Sequence, residues 1–521
     1  MQNPLSIIIV HWNTPDLLKK QLSMLDDNKF EITVIDNLSD KPLSWINSDF
    51  PHVKLIQNKF NRGYAFACNQ GALASRSEWL LFLNPDVETT SAQIEKMIVR
   101  AESSRFDACS PIPNSQNYKK PTPSAISLLA EFTPLKYLIP LSFFKQKTLT
   151  GGCLMIKSAV FKKLGGFDER FFLWFEDSDL TKRLIDNNFK VGWVDVAVNH
   201  KGGASFKYHD GQIHRDIFFH SMDVFAGKHF TRLEQEIVAM IKRRYSKRKL
   251  LPQINDGVSI AIPNVKENLL IAFLKNNLNT FNDADEQIIV SSSIAEPDIW
   301  SWRQQYPTVR FISLKKNNGF AQTANIGFRV STTEWIATVN DDIILNNFWI
   351  RACLQCVNDP GSSKLLYGSI NPVIYKTDGS IESAGVDVLK HGKALPREKI
   401  PSADCFIVDA TNAAIVLYNR DALNKVGLFD EAFGSYLEDI DLSLRLKRAG
   451  FKNVVAKSAK VYHVGQATSS SLLSKTKPWL DFKNWILVIA KNWGLGKIIV
   501  NLPAIALERL RNFFGILKTL F

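Results

Sequence analysis

The sequence of 521 residues repeats itself once, and this long repeat is the feature that most restricts its fold. Asp342 follows Asp86 by 256 residues, and the residues around them correspond in both copies. Later in each copy the distance grows slightly, because Asp439 follows Asp177 by 262 residues. Solenoid proteins repeat every 20 to 50 residues or so, so a period of this length indicates a duplicated domain.

Within each copy, short apolar runs alternate with helical segments. We predict strands at 6–10, 31–35, 53–56, 78–83 and 190–194 in the first copy, where 153–156 is a further apolar segment, and at 258–262, 287–290, 309–312 and 334–339 in the second. Strands that alternate with helices are typical of the α/β class with a largely parallel sheet. The predicted organisation is a domain over 1–230, a basic helical linker over 231–257, a second domain over 258–475 and amphipathic helices over 476–521.

Acidic residues end two of the predicted strands. Asp36 and Asp86 lie just past the carboxyl ends of their strands, where open α/β sheets bind ligands. Aspartate is also a common turn residue, and this simpler explanation suffices for either residue taken alone. In the second copy Asp86 has a counterpart in Asp342, at the matching offset, but Asp36 has none. Turn propensity does not explain the recurrence at Asp342, which therefore favours a functional role.

Two acidic stretches, 174–180 and 436–442, share a common setting. Each follows a Gly-x-Phe-Asp-Glu turn, leads into a helix with basic residues, and is followed by a histidine, His200 or His463. Acids in a first helical turn can simply balance the helix dipole. The repetition, together with the aspartates at strand ends, favours a chemical role for these acids.

The residue types suit a metal ion and a proton acceptor. Mg²⁺ and Mn²⁺ bind through one or two carboxylates plus substrate phosphates, and imidazole is acceptable to Mn²⁺. A further carboxylate at a helix N-terminus could take a proton from an attacking hydroxyl group. Asp177 and Asp439 fit that second role.

As a set, these motifs resemble family 2 glycosyltransferases of the GT-A fold, especially the rhamnosyltransferase-like group that builds bacterial surface polysaccharides. The matching segments of the first copy are 6–13, 35–37, 61–71, 84–86, 165–169 and 176–183. The resemblance covers roughly 5–230 and 257–470. It implies two tandem GT-A domains, Rossmann-like with a mostly parallel sheet. It also implies a bifunctional inverting enzyme that transfers sugars from nucleotide-sugar donors to a growing, lipid-linked bacterial glycan.

The resemblance also implies roles for individual residues. The nucleotide would be bound by Asp36, Asn61, Arg62 and Gly63 in the first copy and by Asn318 and Gly319 in the second. The ligands of a divalent cation, Mg²⁺ or Mn²⁺, would be Asp86, His200, Asp341, Asp342 and His463. The general bases of an inverting displacement at the sugar C1 would be Asp177 and Asp439, with Glu176 and Glu438 beside them for the acceptor.

The sequence departs from the family pattern at two places. The first copy has one acid in Asn84-Pro85-Asp86, where many family members have two. The second copy has Ser291 where Asp36 would be expected. This second departure leaves an alternative open, in which the first domain is catalytic and the second is a glycan- or nucleotide-binding module.

The net charge of +13 suits nucleic acid, anionic lipid or phosphorylated small molecules as partners. The basic residues cluster at 242–249 and in the C-terminal tail rather than in a groove lined with aromatic residues, which argues against nucleic acid. The tail from Trp479 could lie on a membrane surface as an anchor, or it could be a helical pair packed on the domain. The segment 111–148 could be a lid over the acceptor or a packed insertion.

The chain begins without the basic segment of a signal peptide, and its six cysteines show no regular spacing. We therefore predict a cytoplasmic protein in a reducing compartment, bound peripherally to the inner face of the cell membrane. Cys353 and Cys356 form a single C-x-x-C that we interpret as a coincidence.

Overall fold

The computed structural model describes residues 4–25, 29–113, 121–140, 144, 148–200, 211–358, 366–465 and 473–520. These residues form two compact units. Unit 1 contains the residues up to Pro252 together with Glu296–Ile312, and unit 2 contains Gln253–Ala295 and the residues from Ser313 onward. Parts of the predicted lid at 111–148 fall outside the described residues.

The first copy of the repeat forms eight strands and nine helices over its described part. The strands are β1 (Leu5–His11), β2 (Glu31–Asp36), β3 (Lys54–Gln57), β4 (Trp79–Leu83), β5 (Val87–Glu88), β6 (Ala108–Pro113), β7 (Cys153–Lys157) and β8 (Val191–His200). The helices are α1 (Pro15–Ser23), α2 (Trp45–Asp49), α3 (Tyr64–Leu73), α4 (Ser91–Ser103), α5 (Ala125–Phe132), α6 (Ser158–Lys163), α7 (Glu176–Asp186), α8 (Gly211–His229) and α9 (Arg232–Tyr245).

The second copy follows the same order of elements with additional short strands. Its strands are β9 (Val258–Asn264), β10 (Glu286–Ser291), β11 (Val309–Ser313), β12 (Trp335–Val339), β13 (Ile343–Leu345), β14 (Tyr367–Lys376), β15 (Ile381–Ser383), β16 (Val386–Val388), β17 (Ala394–Pro396), β18 (Cys405–Val408), β19 (Ile415–Asn419) and β20 (Lys452–His463). Its helices are α10 (Glu267–Phe281), α11 (Ile299–Gln305), α12 (Phe320–Val330), α13 (Trp349–Asn358), α14 (Arg420–Val426), α15 (Glu438–Arg448), α16 (Leu473–Asn492) and α17 (Leu495–Leu520).

The sheet of unit 1 has the strand order β3-β2-β1-β4-β7-β6-β8-β5. The first four strands pair in parallel, and β7 joins β4 in the antiparallel direction. All residues of β1 and β4 are buried, as expected for strands covered on both faces. The carboxyl ends of β2, β1 and β4 therefore meet at one edge of the sheet, and this edge carries Asp36 and Asp86.

The sheet of unit 2 arranges β10-β9-β12-β19-β14-β20-β13 in the order of their counterparts in unit 1. Strands β10, β9 and β12 pair in parallel, and β19 pairs with β12 in the antiparallel direction. The shared order confirms the predicted duplication and the predicted fold class, two tandem α/β domains with mixed, mostly parallel sheets.

Helix α16 takes the place in unit 2 that α8 takes in unit 1. In unit 1, His229 Nε2 lies 2.7 Å from Asp179 Oδ1. In unit 2, Asn492 Nδ2 donates to Asp441 Oδ1 at 2.7 Å. The start of the predicted C-terminal segment thus packs against α15, and α17 belongs to the same unit.

Some expectations about the chain need correction. The helix predicted to run through the linker ends at Tyr245, and the residues from there to Gly257 are not helical. A disulfide joins Cys356 to Cys405, across 49 positions of sequence, which the expectation of reduced cysteines did not include. No helix within the described ranges is both long and apolar enough to cross a membrane.

Candidate functional site

The Gly-x-Phe-Asp-Glu turn of each unit is bonded to the helix that follows the third strand. In unit 1, Asn69 on α3 donates to the Phe167 carbonyl oxygen at 2.9 Å and to Glu169 Oε1 at 2.7 Å. In unit 2, Asn325 on α12 makes the same two bonds, to the carbonyl oxygen of Phe429 at 2.9 Å and to Glu431 Oε1 at 3.1 Å. This repeated asparagine explains why the two distant motifs occur together in the sequence.

The acidic helix is fixed to the same turn by an internal ion pair. Asp179 and Arg183 on α7 pair at 2.7 Å, and the guanidinium also donates to the carbonyl oxygens of Leu164 and Gly166. On α15 the pair is Asp441 and Arg445, at 2.8 Å. The third acid of each acidic stretch therefore holds the helix in place.

Two residues in the left-handed conformation precede each acidic helix. Trp174 and Phe175 have φ of 68° and 67°, and Tyr436 and Leu437 have φ of 73° and 67°. Non-glycine residues adopt this conformation at an energetic cost, which folded proteins tend to tolerate at functional sites. The recurrence of the pair in both units shows that the first residues of α7 and α15 are presented in the same way.

The carboxylates of Asp177 and Asp439 each accept a hydrogen bond from a backbone N–H in the segment just before β7 or β19. The Gly151 N–H donates to Asp177 Oδ2 at 3.1 Å, and the Ser178 N–H donates to Oδ1 at 2.6 Å. The Ala413 N–H donates to Asp439 Oδ2 at 3.0 Å. Burial raises the pKa of Asp439 above its usual value, and the backbone N–H groups of Ala413 and Ile440 offset part of this shift. Both carboxylates are half-buried at a helix N-terminus.

Gly152, the residue after Gly151, links the segment that holds Asp177 to the end of β4, which carries Asp86. The Asn84 N–H donates to the Gly152 carbonyl oxygen at 2.8 Å, and a Cβ at Gly152 would lie 2.9 Å from His200 Cε1. His200 Nε2 lies 3.4 Å from Asp86 Oδ1. Asp177, Asp86 and His200 therefore converge on one short segment, 151–152.

Unit 2 shows the same convergence. The Asn340 N–H donates to the Ala414 carbonyl oxygen at 2.8 Å, and Ala414 follows the Ala413 that bonds Asp439. His463 Nε2 lies 3.2 Å from Asp342 Oδ1, and Glu382 binds the other ring nitrogen at 2.8 Å. The two carboxylates thus lie on opposite sides of the imidazole ring.

A metal ion is compatible with these residues as a two-ligand site. Asn84 Oδ1 is a buried oxygen with no hydrogen-bond partner among the described residues, and Asp342 Oδ1 is a buried oxygen with only His463 Nε2 beside it, at 3.2 Å. In the part of the chain that the structure describes, no three His, Cys, Asp or Glu side chains are grouped to hold an ion by themselves. One carboxylate and one imidazole per unit, completed by substrate phosphates, is a donor set that Mn²⁺ accepts.

Asp36 lies at the carboxyl end of β2 beside His11. His11 is fully buried, its Nε2 accepts the Thr14 N–H at 3.0 Å, and its Nδ1 lies 3.5 Å from Asp36 Oδ1. Burial alone would raise the pKa of Asp36, but hydrogen bonds from His11 and Ser39 lower it below the usual value. Asp36 is therefore an ionised hydrogen-bond acceptor at the sheet edge.

The corresponding edge of unit 2 has a different set of residues. Ser291 pairs with Asn264 as Asp36 pairs with His11, and Ser291 Oγ donates to Asn264 Oδ1 at 2.7 Å. Asn264 Nδ2 donates to Asp341 Oδ2 at 2.7 Å. Burial, with Asp342 as a smaller contributor, raises the pKa of Asp341 to about 6.

The predicted nucleotide-binding turn is organised around its glycine. Gly63 has φ of 90°, and a Cβ there would lie 2.5 Å from the Phe172 carbonyl oxygen. Asn61 Oδ1 accepts the Gly63 N–H at 3.0 Å, and the guanidinium of Arg62 donates to the Thr308 carbonyl oxygen. The close approach seen at Gly63 is therefore to backbone of the same unit.

The second copy keeps the glycine but exposes its neighbour. Gly319 has φ of 93°, and a Cβ there would lie 2.7 Å from the Gly434 carbonyl oxygen. Asn318, at the position of Arg62, is exposed. The turn geometry is thus conserved between the units, while the side chain that it presents differs.

Glu176 and Glu438 are buried carboxyl groups that precede the two candidate bases. They are 6% and 5% exposed, and Oε2 of each lacks a hydrogen-bond partner among the described residues. Burial, with Asp177 beside it, raises the pKa of Glu176 to about 8. Burial and Asp439 raise the pKa of Glu438 well above its usual value. Glu176 therefore keeps its proton at neutral pH, and the pKa of Glu438 is shifted in the same direction.

Sequence reasoning missed several participants in these sites. His11 lies in the segment 6–13, which the sequence analysis matched to the family. Because β1 and β2 pair in parallel, His11 lies opposite Asp36, and this pairing could have identified it. Glu382 comes from β15, a strand with no counterpart in the described part of the first copy, so the repeat gave no indication of it. The amides of Gly151 and Ala413 act through the backbone and leave no mark in the sequence.

Comparison with known proteins adds the following. The profile of "Glycosyl transferase family 2" matches residues 6–165 and 259–381, and that of "N-terminal domain of galactosyltransferase" matches 143–207. The low-salt glycan biosynthesis hexosyltransferase Agl10 of Haloferax volcanii is 29% identical over 208 residues, which are 38% of this chain and 66% of that protein. The N-acetylglucosaminyl-diphospho-decaprenol L-rhamnosyltransferase of Mycobacterium tuberculosis is 26% identical over 234 residues, 38% of this chain and 74% of that protein.

Among solved structures, the mannosyltransferase PcManGT from Pyrobaculum calidifontis, in complex with GDP-Man and Mn²⁺, is 15% identical. Its alignment covers 46% of this chain and 70% of that chain, with a TM-score of 0.33. The profile of family 2 matches both copies of the repeat and more than half of the sequence. The chain therefore belongs to glycosyl transferase family 2.

Proposed function

We propose that both units transfer sugars, each with its own active site, so that the chain is a bifunctional inverting glycosyltransferase. The observation that carries this proposal is the repeated convergence of a strand-end aspartate, a histidine and a helix N-terminal aspartate on one short segment. The donors are nucleotide sugars. The acceptor is a growing, lipid-linked glycan, in keeping with the lipid diphosphate in the name of the mycobacterial relative.

In each unit the helix N-terminal aspartate, Asp177 or Asp439, is the general base. It accepts the proton of the acceptor hydroxyl as the hydroxyl oxygen attacks C1 of the sugar. The bond from C1 to the diphosphate oxygen breaks, and the nucleoside diphosphate leaves with the electron pair. Backbone amides hold the carboxylate in position, and a base held at hydrogen-bond distance typically contributes 10²- to 10⁴-fold to the rate.

A divalent cation, Mg²⁺ or Mn²⁺, would be held by Asp86 and His200 in unit 1 and by Asp342 and His463 in unit 2. Bound there, it would offset the negative charge of the diphosphate. Glu176, buried and protonated at neutral pH, can donate a hydrogen bond to the acceptor without competing with Asp177 as a base. Glu438, whose pKa is raised by burial and by Asp439, would act in the same way in unit 2.

The experiment that tests this proposal compares the Asp177→Asn and Asp439→Asn variants of the full chain. Each is incubated with UDP-, dTDP- and GDP-sugars and with Mg²⁺ or Mn²⁺, and donor turnover is measured. We expect each variant to lose at least 100-fold of the turnover of a different donor, or of a distinct share of one donor. If Asp439→Asn leaves all turnover unchanged, unit 2 is a binding module, and if Asp177→Asn does so, the base assignment is wrong.

We further propose that the chain works peripherally on the inner face of the cell membrane, through α17. One side of α17 packs on unit 2, and the other exposes apolar side chains at helical spacing. These are Leu495, Ile499, Val500, Leu502, Leu507, Leu510, Phe513 and Phe514, each between 37% and 80% exposed. The acid of this helix, Glu508, faces Lys393 at 2.7 Å on the packed side, while Arg511 is 70% exposed. An apolar face bordered by basic residues suits an anionic lipid surface.

Vesicle sedimentation tests this surface. We expect the full chain to bind vesicles that contain phosphatidylglycerol more tightly than neutral phosphatidylcholine vesicles. The Ile499→Glu, Val500→Glu double variant should lose at least tenfold of this binding. Met240→Glu on α9, a helix outside this face, replaces an apolar residue that is 60% exposed and should change nothing. If the double variant and Met240→Glu lose vesicle binding equally, or if neither loses it, the assignment of α17 as the membrane-binding surface is wrong.

A further inference from the structure

The helix that packs on the left-handed pair occupies the same place in both units, α8 in unit 1 and α16 in unit 2. Ser221 on α8 donates to the Leu173 carbonyl oxygen at 2.8 Å, and Asn484 on α16 donates to the Ser435 carbonyl oxygen at 2.8 Å. Both bonds reach the residue just before the left-handed pair. The offset of 263 residues between the two donors also relates the residues that bond the third acid of each stretch, so the two helices can be compared position by position.

In unit 1 the part of α8 that covers the left-handed pair is aromatic. The centre of the Phe218 ring lies 5.7 Å from that of Trp174 and 5.3 Å from that of Phe175. One turn earlier, the centre of the His214 ring lies 5.9 Å from that of Trp174. The two residues that precede Glu176 are therefore packed against rings.

In unit 2 the two equivalent positions of α16 carry charged residues. Lys477 occupies the first, and its Nζ lies 5.2 Å from the centre of the Tyr436 ring. Asn484 donates to the carbonyl oxygen of the same tyrosine at 2.8 Å. Asp481 occupies the second position and lies between these two residues, about one helical turn from each. It therefore lies on the face of α16 that covers the left-handed pair, where Phe218 lies in unit 1.

Asp481 lies close to the buried Glu438. Asp481 is half-buried, and its charge contributes to the raised pKa of Glu438, after burial and Asp439. Glu438 is 5% exposed, and its Oε2 has no hydrogen-bond partner among the described residues. Two carboxyl groups are thus grouped beside the candidate base of unit 2, and one of them has a buried atom that still needs a partner.

A carboxylate and a phenyl ring at this position offer different contacts to a sugar. A carboxylate accepts hydrogen bonds from hydroxyl groups, whereas a phenyl ring packs on C–H groups and leaves a hydroxyl group without a partner. A site built to bond a substrate hydroxyl group also rejects an analogue that lacks this group. The exchange of Phe218 for Asp481 therefore distinguishes acceptors by a hydroxyl group.

We infer that the two units act on different acceptor sugars, and that Asp481 determines the acceptor specificity of unit 2. Its carboxylate accepts a hydrogen bond from one hydroxyl group of the acceptor sugar, a group other than the hydroxyl that attacks C1. Unit 1, with Phe218 at this position, takes an acceptor that presents a deoxy carbon there. This inference rests on the proposed function, since it takes both units to transfer sugars.

Steady-state transfer to octyl glycosides by the full chain tests the inference. The Asp177→Asn background isolates unit 2, and the Asp439→Asn background isolates unit 1. The acceptors are the octyl glycosides of glucose, galactose and mannose, each with analogues deoxygenated at one position other than the site of transfer. We expect one analogue to raise the acceptor KM of unit 2 at least tenfold, and unit 1 to use the same analogue at least as well as its parent.

Variants of Asp481 show whether this residue bonds the missing hydroxyl group. Asp481→Leu should raise the acceptor KM of unit 2 for the parent glycoside at least tenfold and not change it further for the analogue, because both changes remove the same bond. Asp481→Asn keeps an acceptor oxygen and should restore part of the loss. Ile486→Ala, at an exposed position on another side of α16, is the control and should leave every KM unchanged.

If Asp481→Leu leaves the acceptor KM unchanged, or if both units reject the same deoxy analogue, the inference is wrong. In those cases the loss of one share of donor turnover in each base variant would still support the proposed function. If neither base variant reduces donor turnover, the proposed function fails and the inference fails with it, so the two failures are distinguishable.

Discussion

The glutamate of the Gly-x-Phe-Asp-Glu turn has the same partner in both units but very different surroundings. Glu169 and Glu431 each accept a hydrogen bond from the asparagine of the preceding helix. Glu169 pairs with Arg303 at 2.7 Å, and both side chains are at most 3% exposed. Glu431 pairs with Arg329 at 2.9 Å, and both are 37% exposed.

This difference distinguishes the contacts that both units share from the charged residues in which the units differ. The bonds from Asn69 or Asn325 to the turn, and from the acidic helix to the same turn, are repeated and define the backbone frame of the site. The charges around the frame are not repeated, and at the sheet edge they include Asp36 in one unit and Asp341 in the other. Resemblance in sequence therefore reports the frame more reliably than the ligand.

The largest expected difference between the units comes from removing the arginine partner. Arg303→Met leaves Glu169 buried without its cation, which typically costs about 3–5 kcal/mol. Arg329→Met removes an exposed pair, worth about 1 kcal/mol or less. Hydrogen exchange of α3 and α12, measured by mass spectrometry on the full chain, reports the stability of each frame separately.

A second change checks that the loss arises from the uncompensated charge. Adding Glu169→Gln to Arg303→Met should restore part of the protection of α3, because the neutral amide needs no cation. If Arg303→Met and Arg329→Met reduce protection equally, the buried pair does not distinguish the units and the comparison fails.

Replacing the turn glycines Gly63 and Gly319 by alanine should also destabilise unit 1 more than unit 2, but the difference between the units should be smaller than for the arginine variants. Gly63→Ala forces a left-handed φ on alanine and a clash with the Phe172 backbone, with an expected loss of about 2–4 kcal/mol in the free energy of unfolding. Gly319→Ala meets Gly434, which has open space around its own Cα and can shift, so the loss should be smaller.

Gly227→Ala is the matched control, since a Cβ there meets nothing within 4 Å and the residue lies inside α8. Alanine favours a helix over glycine by about 1 kcal/mol, so this variant should be slightly stabilised. Thermal unfolding of the three variants checks the order, and a destabilised Gly227→Ala would show that glycine removal as such, and not the clash, causes the losses.

The sequence was sufficient to predict the elements that carry periodic or repeated signals. The predicted strands at 6–10, 31–35 and 78–83 are β1, β2 and β4 within one or two residues, because their continuous burial leaves apolar runs. The structure also brings together residues that were predicted to share a site, Asp86 with His200 and Asp342 with His463.

What the sequence did not predict depends on contacts between distant segments. The disulfide between Cys356 and Cys405 and the approach of Glu382 to His463 need the topology of the second sheet. Arg303 reaches Glu169 from a segment more than 130 residues away, which no local pattern indicates. The roles assigned to Asp36, Asp177 and their counterparts stay predictions until the variants are measured.

The smallest expected effect concerns the buried glutamates, where the units should behave alike. Glu176 has an ordinary pKa of 4.5 and a pKa of about 8 in the folded chain. Between these values the folded protein holds a proton that the unfolded chain has lost, so the free energy of unfolding falls as pH rises. From pH 6 to pH 8 this group alone should lower it by about 2 kcal/mol.

Glu176→Gln carries no titrating proton at this position, so its stability should fall less steeply than that of the wild type over pH 6 to 8. Glu438→Gln should behave in the same direction, because Glu438 is equally buried and unpaired. Asp179, whose pKa is lowered by Arg183 and Lys228 despite its burial, titrates below this window and does not disturb the comparison. Denaturation curves of the three proteins at pH 6, 7 and 8 measure the slopes. Parallel slopes would show that the glutamates ionise in the folded chain, and their role as neutral donors to the acceptor would then be untenable.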